Sequence, residues 1–178
     1  MRDIGIDPST KTGFVAQGLK GEVLRQKELT GVGSVDPKRM ITLIDEIIAH
    51  IQPNDYICIE GFGFASQQAI QLGGIGWGIR MALARRGHKW IEVAPSQLKK
   101  FASGKGNTNK DELAVHIYKK FGFEHSSDNV RDAFVLAEIA RHLRTGEVAK
   151  YEYQREVLHA ILNPVPKTKK KRKAKGAK

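Results

Sequence analysis

The sequence predicts a mixed α/β fold: a five-stranded sheet with one antiparallel side and helices packed on its faces. Three observations predict it. Runs of strand character at residues 2–7, 12–18 and 22–29 are joined by short polar and glycine-containing turns, the pattern of an antiparallel meander. Two later runs, 55–60 and 89–93, are short, apolar and bounded by turn signals. Between and after them the apolar period changes to that of helices.

The elements follow in order. From Asp36 to Gln52, Met40, Ile41, Ile44, Ile47, Ile48 and Ile51 form one stripe at helical spacing, and Asp36–Pro37 reads as cap and first position. "DYICIE" (55–60) is the strand of a sheet covered on both faces. Residues 66–87 read as a helix, although Gly73, Gly74, Gly76 and Gly78 weaken it or mark a close backbone approach. A strand at 89–93 leads into a short helix after Ala94, a polar loop "SGKGNTN" (103–109) and a helix ending at Gly122. The last strong helix spans 126–143, with Val130, Ala133, Phe134, Ala137 and Ala140 on its apolar face and Ser127 as cap.

The 178 residues suit one compact domain over 1–163, followed by a basic tail at 164–178. The formal net charge is +11, but residues 167–178 carry eight basic side chains and no acid, which leaves +3 for residues 1–166. That tail lacks apolar periodicity and is expected to be disordered, as a solubilising end, a localisation signal or an arm for phosphate backbone. A single cysteine, Cys58, excludes an internal disulfide and a multi-cysteine zinc site, and its apolar neighbours mark it as a core residue. No charged-then-apolar leader opens the chain and no apolar run nears about 18 residues, so a cytoplasmic protein without a membrane span is expected.

Four acids stand out by position. Asp7 ends the first strand and Glu60 the fourth; on neighbouring strands their carboxylates converge at a carboxyl end, where open α/β sheets bind ligands. Asp128 and Asp132 are four residues apart on the last helix and share a face. Two have an ordinary reading, Asp7 as a turn residue and Asp128 as a favourable charge in a first helical turn, whereas Glu60 after "YICI" and Asp132 beside Ala133 and Phe134 are less expected without a task. Gathered together, four acids need a cation, and oxygen donors suit Mg²⁺. A pair of such ions supports in-line attack on a phosphodiester.

With these residues in view, the chain resembles RuvC-type Holliday junction resolvases of the RNase H-like superfamily, particularly phage-type members. The resemblance spans about residues 2–145 and rests on "IGIDPSTKTGF", "ICIEGFGF", "VAPSQLKKFASGKGNTNKDELA" and "SDNVRDAFVLAEIA", in that order. It implies a Mg²⁺-dependent endonuclease, with Mn²⁺ as a substitute and two ions per site, that nicks opposed strands of four-way junction DNA as a homodimer. It implies Asp7, Glu60, Asp132 and Asp128 as metal ligands, Lys110 near the active centre, and a place in DNA recombination and repair in a bacterial or phage-infected cell. Two departures stand out. The residue three before Asp132 is Asn129 where cellular members carry an acid or histidine, and the position three after Glu60 is Gly63 where they carry an aromatic. Phe62 and Phe64 flank it and are read either as stacking groups at the branch point or as core. Lys99, Lys100, Lys105 and Lys110 surround the polar loop and are read as phosphate contacts, with a solvated surface loop as the alternative.

Rival classes are narrowed by what the chain lacks. It has no GxxxxGK[ST] loop, and "GGIGWG" lies within a helical segment rather than after a strand. A sugar-kinase or actin-like ATPase needs a second such domain and another phosphate loop. A non-catalytic DNA-binding protein and a nuclease for RNA–DNA hybrids or other branched DNA remain as alternatives. Two segments are candidate partner surfaces, the glycine-rich helix from residue 66 and "YQREVLHAIL" near the end.

Overall fold

The computed structural model describes residues 1–63 and 68–164. Phe64, the first two residues of the expected 66–87 helix and the basic stretch 167–178 lie outside the described residues. The five strands are β1 (Asp3–Asp7), β2 (Thr12–Gln17), β3 (Val23–Leu29), β4 (Tyr56–Glu60) and β5 (Trp90–Val93), in the order β3-β2-β1-β4-β5. β1 pairs antiparallel with β2, and β2 with β3; β1 and β4 run parallel, as do β4 and β5. The expected meander and its parallel additions are both present.

Period-2 alternation divides the sheet into two faces. Ile4, Ile6, Phe14, Ala16, Ile57 and Ile59 face one way and pack beneath α1 (Lys38–Ala49) and α2 (Ala69–Arg85). Val15, Cys58 and Val93 face the other way, toward α3 (Pro95–Ser103), α4 (Lys110–Phe121), α5 (Asp128–Thr145) and α6 (Glu152–Leu162). Burying one such isoleucine or phenylalanine contributes about 1.5–3 kcal/mol, so both faces are needed to offset the entropy of ordering the chain.

The seating of α5 on the sheet matters most for function. A Cβ on Gly5 would stand 1.8 Å from the carbonyl oxygen of Ala133, and one on Gly13 would stand 1.9 Å from that of Asn129. Main chain thus rests on main chain, with glycine the only residue that fits. Both ends of the helix are tied as well. Arg144 Nε and Nη2 donate to the two oxygens of buried Asp3 at 2.7 Å each, and Asn129 Nδ2 donates to the Lys11 carbonyl oxygen at 2.7 Å. Ser127 caps α5 as expected, its Oγ accepting from the Val130 amide.

Several details differ from expectation. The glycines of α2 do admit close neighbours, but these are side chains: a Cβ on Gly78 would meet Ile44 at 2.2 Å, and one on Gly76 would meet the Phe62 ring at 2.6 Å. α1 begins at Lys38, with Pro37 in the cap position and no side-chain cap bond. The Asp36 carboxylate accepts from the Arg39 guanidinium and from Gln71 Nε2, so it bridges toward α2. The final apolar run forms α6, whose Gln154 and Val157 are buried against the core. No helix among the described residues is long and apolar enough to cross a membrane.

Candidate active site

Asp7 closes β1 and Glu60 closes β4. The register pairs Ile6 with Ile59, so both acids come one step later, at adjacent carboxyl ends. Alternation places them on the α5 side, the side of Gly5 and Cys58. Asp132 comes down from α5 beside them, one residue before the Ala133 carbonyl that meets Gly5. All three line a cavity of about 540 Å³ whose walls also include Ser9, Phe62, Arg80, Lys99, Lys110 and Asn129.

Burial, with crowding added to it, governs the charge state. Burial, with the neighbouring Glu60 and Asp128, raises the Asp7 carboxyl well above the usual carboxylate range. Burial and the Asp132 charge raise Glu60, although a hydrogen bond with Asp7 and the Lys99 and Lys110 ammoniums pull it back. Burial, Asp7 and Asp128 push Asp132 up to about 7. Asp128 goes the opposite way, because Lys110 donates to its Oδ2 and holds it ionised. Three acids are therefore short of positive charge, while the fourth already has a partner.

The donors are oxygens only and their shared potential is strongly negative, which fits a hard divalent cation. No three acid, histidine or cysteine side chains among the described residues are drawn tightly enough to hold an ion as they stand. Asp7 and Glu60 share a hydrogen bond instead, and an ion would take the place of that shared proton.

Phe64 lies outside the described residues; the other side chains singled out as site residues have definite positions. Lys99 and Lys110 line the cavity. Lys100 points away from it and donates to Glu156 of α6 at 2.7 Å, a pair that an unforeseen return of the chain creates. Lys105 is exposed in a loop ordered by the Ser103 and Thr108 hydroxyls, 2.6 Å apart. The Phe62 ring is tilted against Trp77 at 5.3 Å, with the Arg80 guanidinium 4.3 Å from its centroid. Of Asp128 and Asn129, it is Asn129 that lines the cavity, with its amide committed to Lys11.

Arg80 is a residue that sequence reasoning missed. It is 2% exposed and donates to the Glu60 carbonyl at 3.0 Å, the Gly76 carbonyl at 3.0 Å and Glu92 Oε1 at 2.7 Å. It therefore fixes the backbone at Glu60 from behind. The available signal was a charge set between Ile79 and Met81 in the middle of a mostly apolar helix.

The raised Asp132 has a consequence for stability. Its carboxyl binds a proton more readily when folded, so stability falls as pH rises from about 4 to about 7 and stays lower above that. In EDTA, Asp132→Asn should melt like the parent at pH 4 and be more stable at pH 8, by about 2–4 kcal/mol. Thermal melts across pH read this directly; a gain independent of pH would mean that Asp132 is not strained by its neighbours.

Comparisons with known proteins bear on the chain as a whole and on its fold. No protein-family model matches the chain. It is 25% identical over 167 residues to the crossover junction endodeoxyribonuclease RuvC of Chloroherpeton thalassium, covering 88% of this chain and 89% of that protein. It superposes on Thermus thermophilus RuvC with a TM-score of 0.61 at 20% identity, over 82% of this chain and 97% of the other. Thermus thermophilus RuvC in complex with a Holliday junction substrate gives a TM-score of 0.60 at 21% identity, over 80% and 92%. The fold is thus the RNase H-like α/β fold of RuvC, as the sequence resemblance implies.

Proposed function

We propose that this chain is a RuvC-type crossover junction endonuclease, which resolves four-way DNA junctions by divalent-metal-dependent hydrolysis of phosphodiesters. The observation that carries the reading is the convergence of Asp7, Glu60 and Asp132 in one cavity with Lys99 and Lys110 on its wall. The similarity to RuvC over nearly the full length of both chains supports the same substrate. Mg²⁺ is the proposed physiological ion, with Mn²⁺ as a substitute and two ions at full occupancy.

When bound, such ions polarise the scissile phosphate and lower the pKa of the attacking water. The protein's own groups do the rest. Asp7, Glu60 and Asp132 supply oxygen ligands from three rigid elements, Arg80 fixes the backbone of one of them, and Lys99 and Lys110 draw in the phosphate. No protein nucleophile is required. Lys105 and the 103–109 loop are proposed to track the strand outward, and Phe62 and Phe64 to stack near the branch point.

Two symmetric cuts require two copies, and a two-fold dimer is proposed. α2 offers the surface: Ile70, Trp77 and Met81, exposed to 95%, 58% and 51%, lie along one face. The basic 164–178 tail is proposed as a separate contact with phosphate backbone, and recombination or repair in a bacterial or phage-infected cell as the setting.

The test is cleavage of end-labelled four-way junction, duplex and RNA–DNA hybrid, each with Mg²⁺ or EDTA. Paired, symmetric nicks in the junction alone, lost in EDTA, are expected. Cutting of the hybrid instead would keep the acidic site and change the substrate. Binding without cutting would make the acids structural.

A further inference from the structure

Asp128 stands apart from the other three acids. Asp7, Glu60 and Asp132 line the cavity, as does Asn129, but Asp128 does not. Both of its oxygens are already engaged: Oδ2 accepts from Lys110 Nζ, and Oδ1 accepts from the Asn129 amide at 3.1 Å. Lys110 touches both places, since it also lines the cavity. Its position is set by the first turn of α4, where Asn109 Oδ1 caps the helix by accepting from the Glu112 amide at 2.9 Å.

We propose that Lys110 is a latch on Asp128. In the DNA-free protein it holds this carboxylate out of the ligand set, and a strand phosphate that takes Lys110 away releases Asp128 to complete the set. This inference rests on the metal-nuclease reading and adds an order to it: substrate first, full ligand set second.

Three physical facts support it. The pair is open to water, with side chains 71% and 32% exposed, so it is held only weakly and a competing anion can open it. Lysine is a compact charge on a flexible stem, and a phosphodiester oxygen offers it the same kind of partner as a carboxylate. Charge accounting points the same way. With Lys110 in place, one ammonium already neutralises part of the acidic cluster; moved onto DNA, it leaves the cluster one positive charge poorer. Cation affinity rises at that moment, and by linkage the DNA is held more tightly by the same factor. The ions are thereby assembled beside a phosphate rather than idling beside water.

The measurement is a Mn²⁺ titration of the DNA-free, full-length protein, followed by electron paramagnetic resonance and calorimetry, with circular dichroism to check the fold. The wild type is expected to bind one ion per chain tightly. Lys110→Met, at an exposed position, should strengthen a second binding step by roughly tenfold. Lys110→Met combined with Asp128→Asn should return to one ion. Equal stoichiometry and affinity in wild type and Lys110→Met would overturn the latch. So would a second ion that persists in the double variant, because Lys110 would then act through its field and not through Asp128. Absence of Mn²⁺ binding in every folded variant would remove the metal-nuclease reading and the latch together.

Discussion

Asp7→Asn is expected to reduce junction cleavage by at least about a thousandfold and to leave junction binding within a few fold of wild type. The size follows from what a metal supplies, several kcal/mol of transition-state stabilisation at about 1.4 kcal/mol per tenfold. Asp7 is 5% exposed at the end of β1, and neither Glu60 on β4 nor Asp132 on α5 can shift to replace it without moving the sheet. Asn is close to isosteric, and it relieves the repulsion that adds to burial in raising Asp132, so the variant should fold at least as well as the parent. Binding is expected to survive because the proposed phosphate contacts are the cavity lysines Lys99 and Lys110 rather than Asp7. Glu60→Gln should behave alike. The check is single-turnover cleavage beside a binding titration in Ca²⁺; full activity in either variant would take that acid out of the metal site.

Gly5→Ala lowers stability by about 3 kcal/mol or more, a fall in Tm of roughly 6–12 °C for a chain of this size. The new methyl would lie 1.8 Å from the Ala133 carbonyl oxygen and 2.6 Å from the Ala137 amide nitrogen. Both obstacles are backbone, so no rotamer change relieves them and α5 must lift. Activity should then fall even well below the melting temperature, because Asp132 rides on the displaced turn. Gly73→Ala is the control: nothing lies within 4 Å of its Cβ, and alanine there should be neutral or stabilising by up to about 1 kcal/mol. Equal melting of the two variants would show that α5 has slack above the sheet.

Much of this site is legible in the sequence because it is built on periodicity. Once residues 2–7 and 55–60 are strands, Asp7 and Glu60 must stand at their carboxyl ends. Once 126–143 is a helix, Asp132 must lie beside the buried Ala133. What the sequence hides depends on single rotamers and on long-range returns of the chain. Whether Asp128 or Asn129 enters the cavity is decided by which of them Lys110 and Lys11 engage, and neither partner is adjacent in sequence. Lys100 is turned aside by Glu156, on a helix that the sequence shows only as an apolar run. The glycines were a partial signal. Those of α2 drew attention as a cluster, whereas the consequential ones, Gly5 and Gly13, sit singly in strands, where a missing side chain marks a close approach.

The main-chain seat between β1 and α5 also bears on how such a protein can drift. Where two elements are spaced by interlocking side chains, a change on one demands a compensating change on the other. Here the spacing from Asp7 to Asp132 is gauged at its nearest point by a peptide group lying on a glycine, and it depends less on which apolar residues fill the core further out. The placing of the two acids and most of the hydrophobic packing can therefore be inherited separately. A lineage is free to rewrite most of its interior while the gauge between two acids, cut into the backbone itself, goes unaltered.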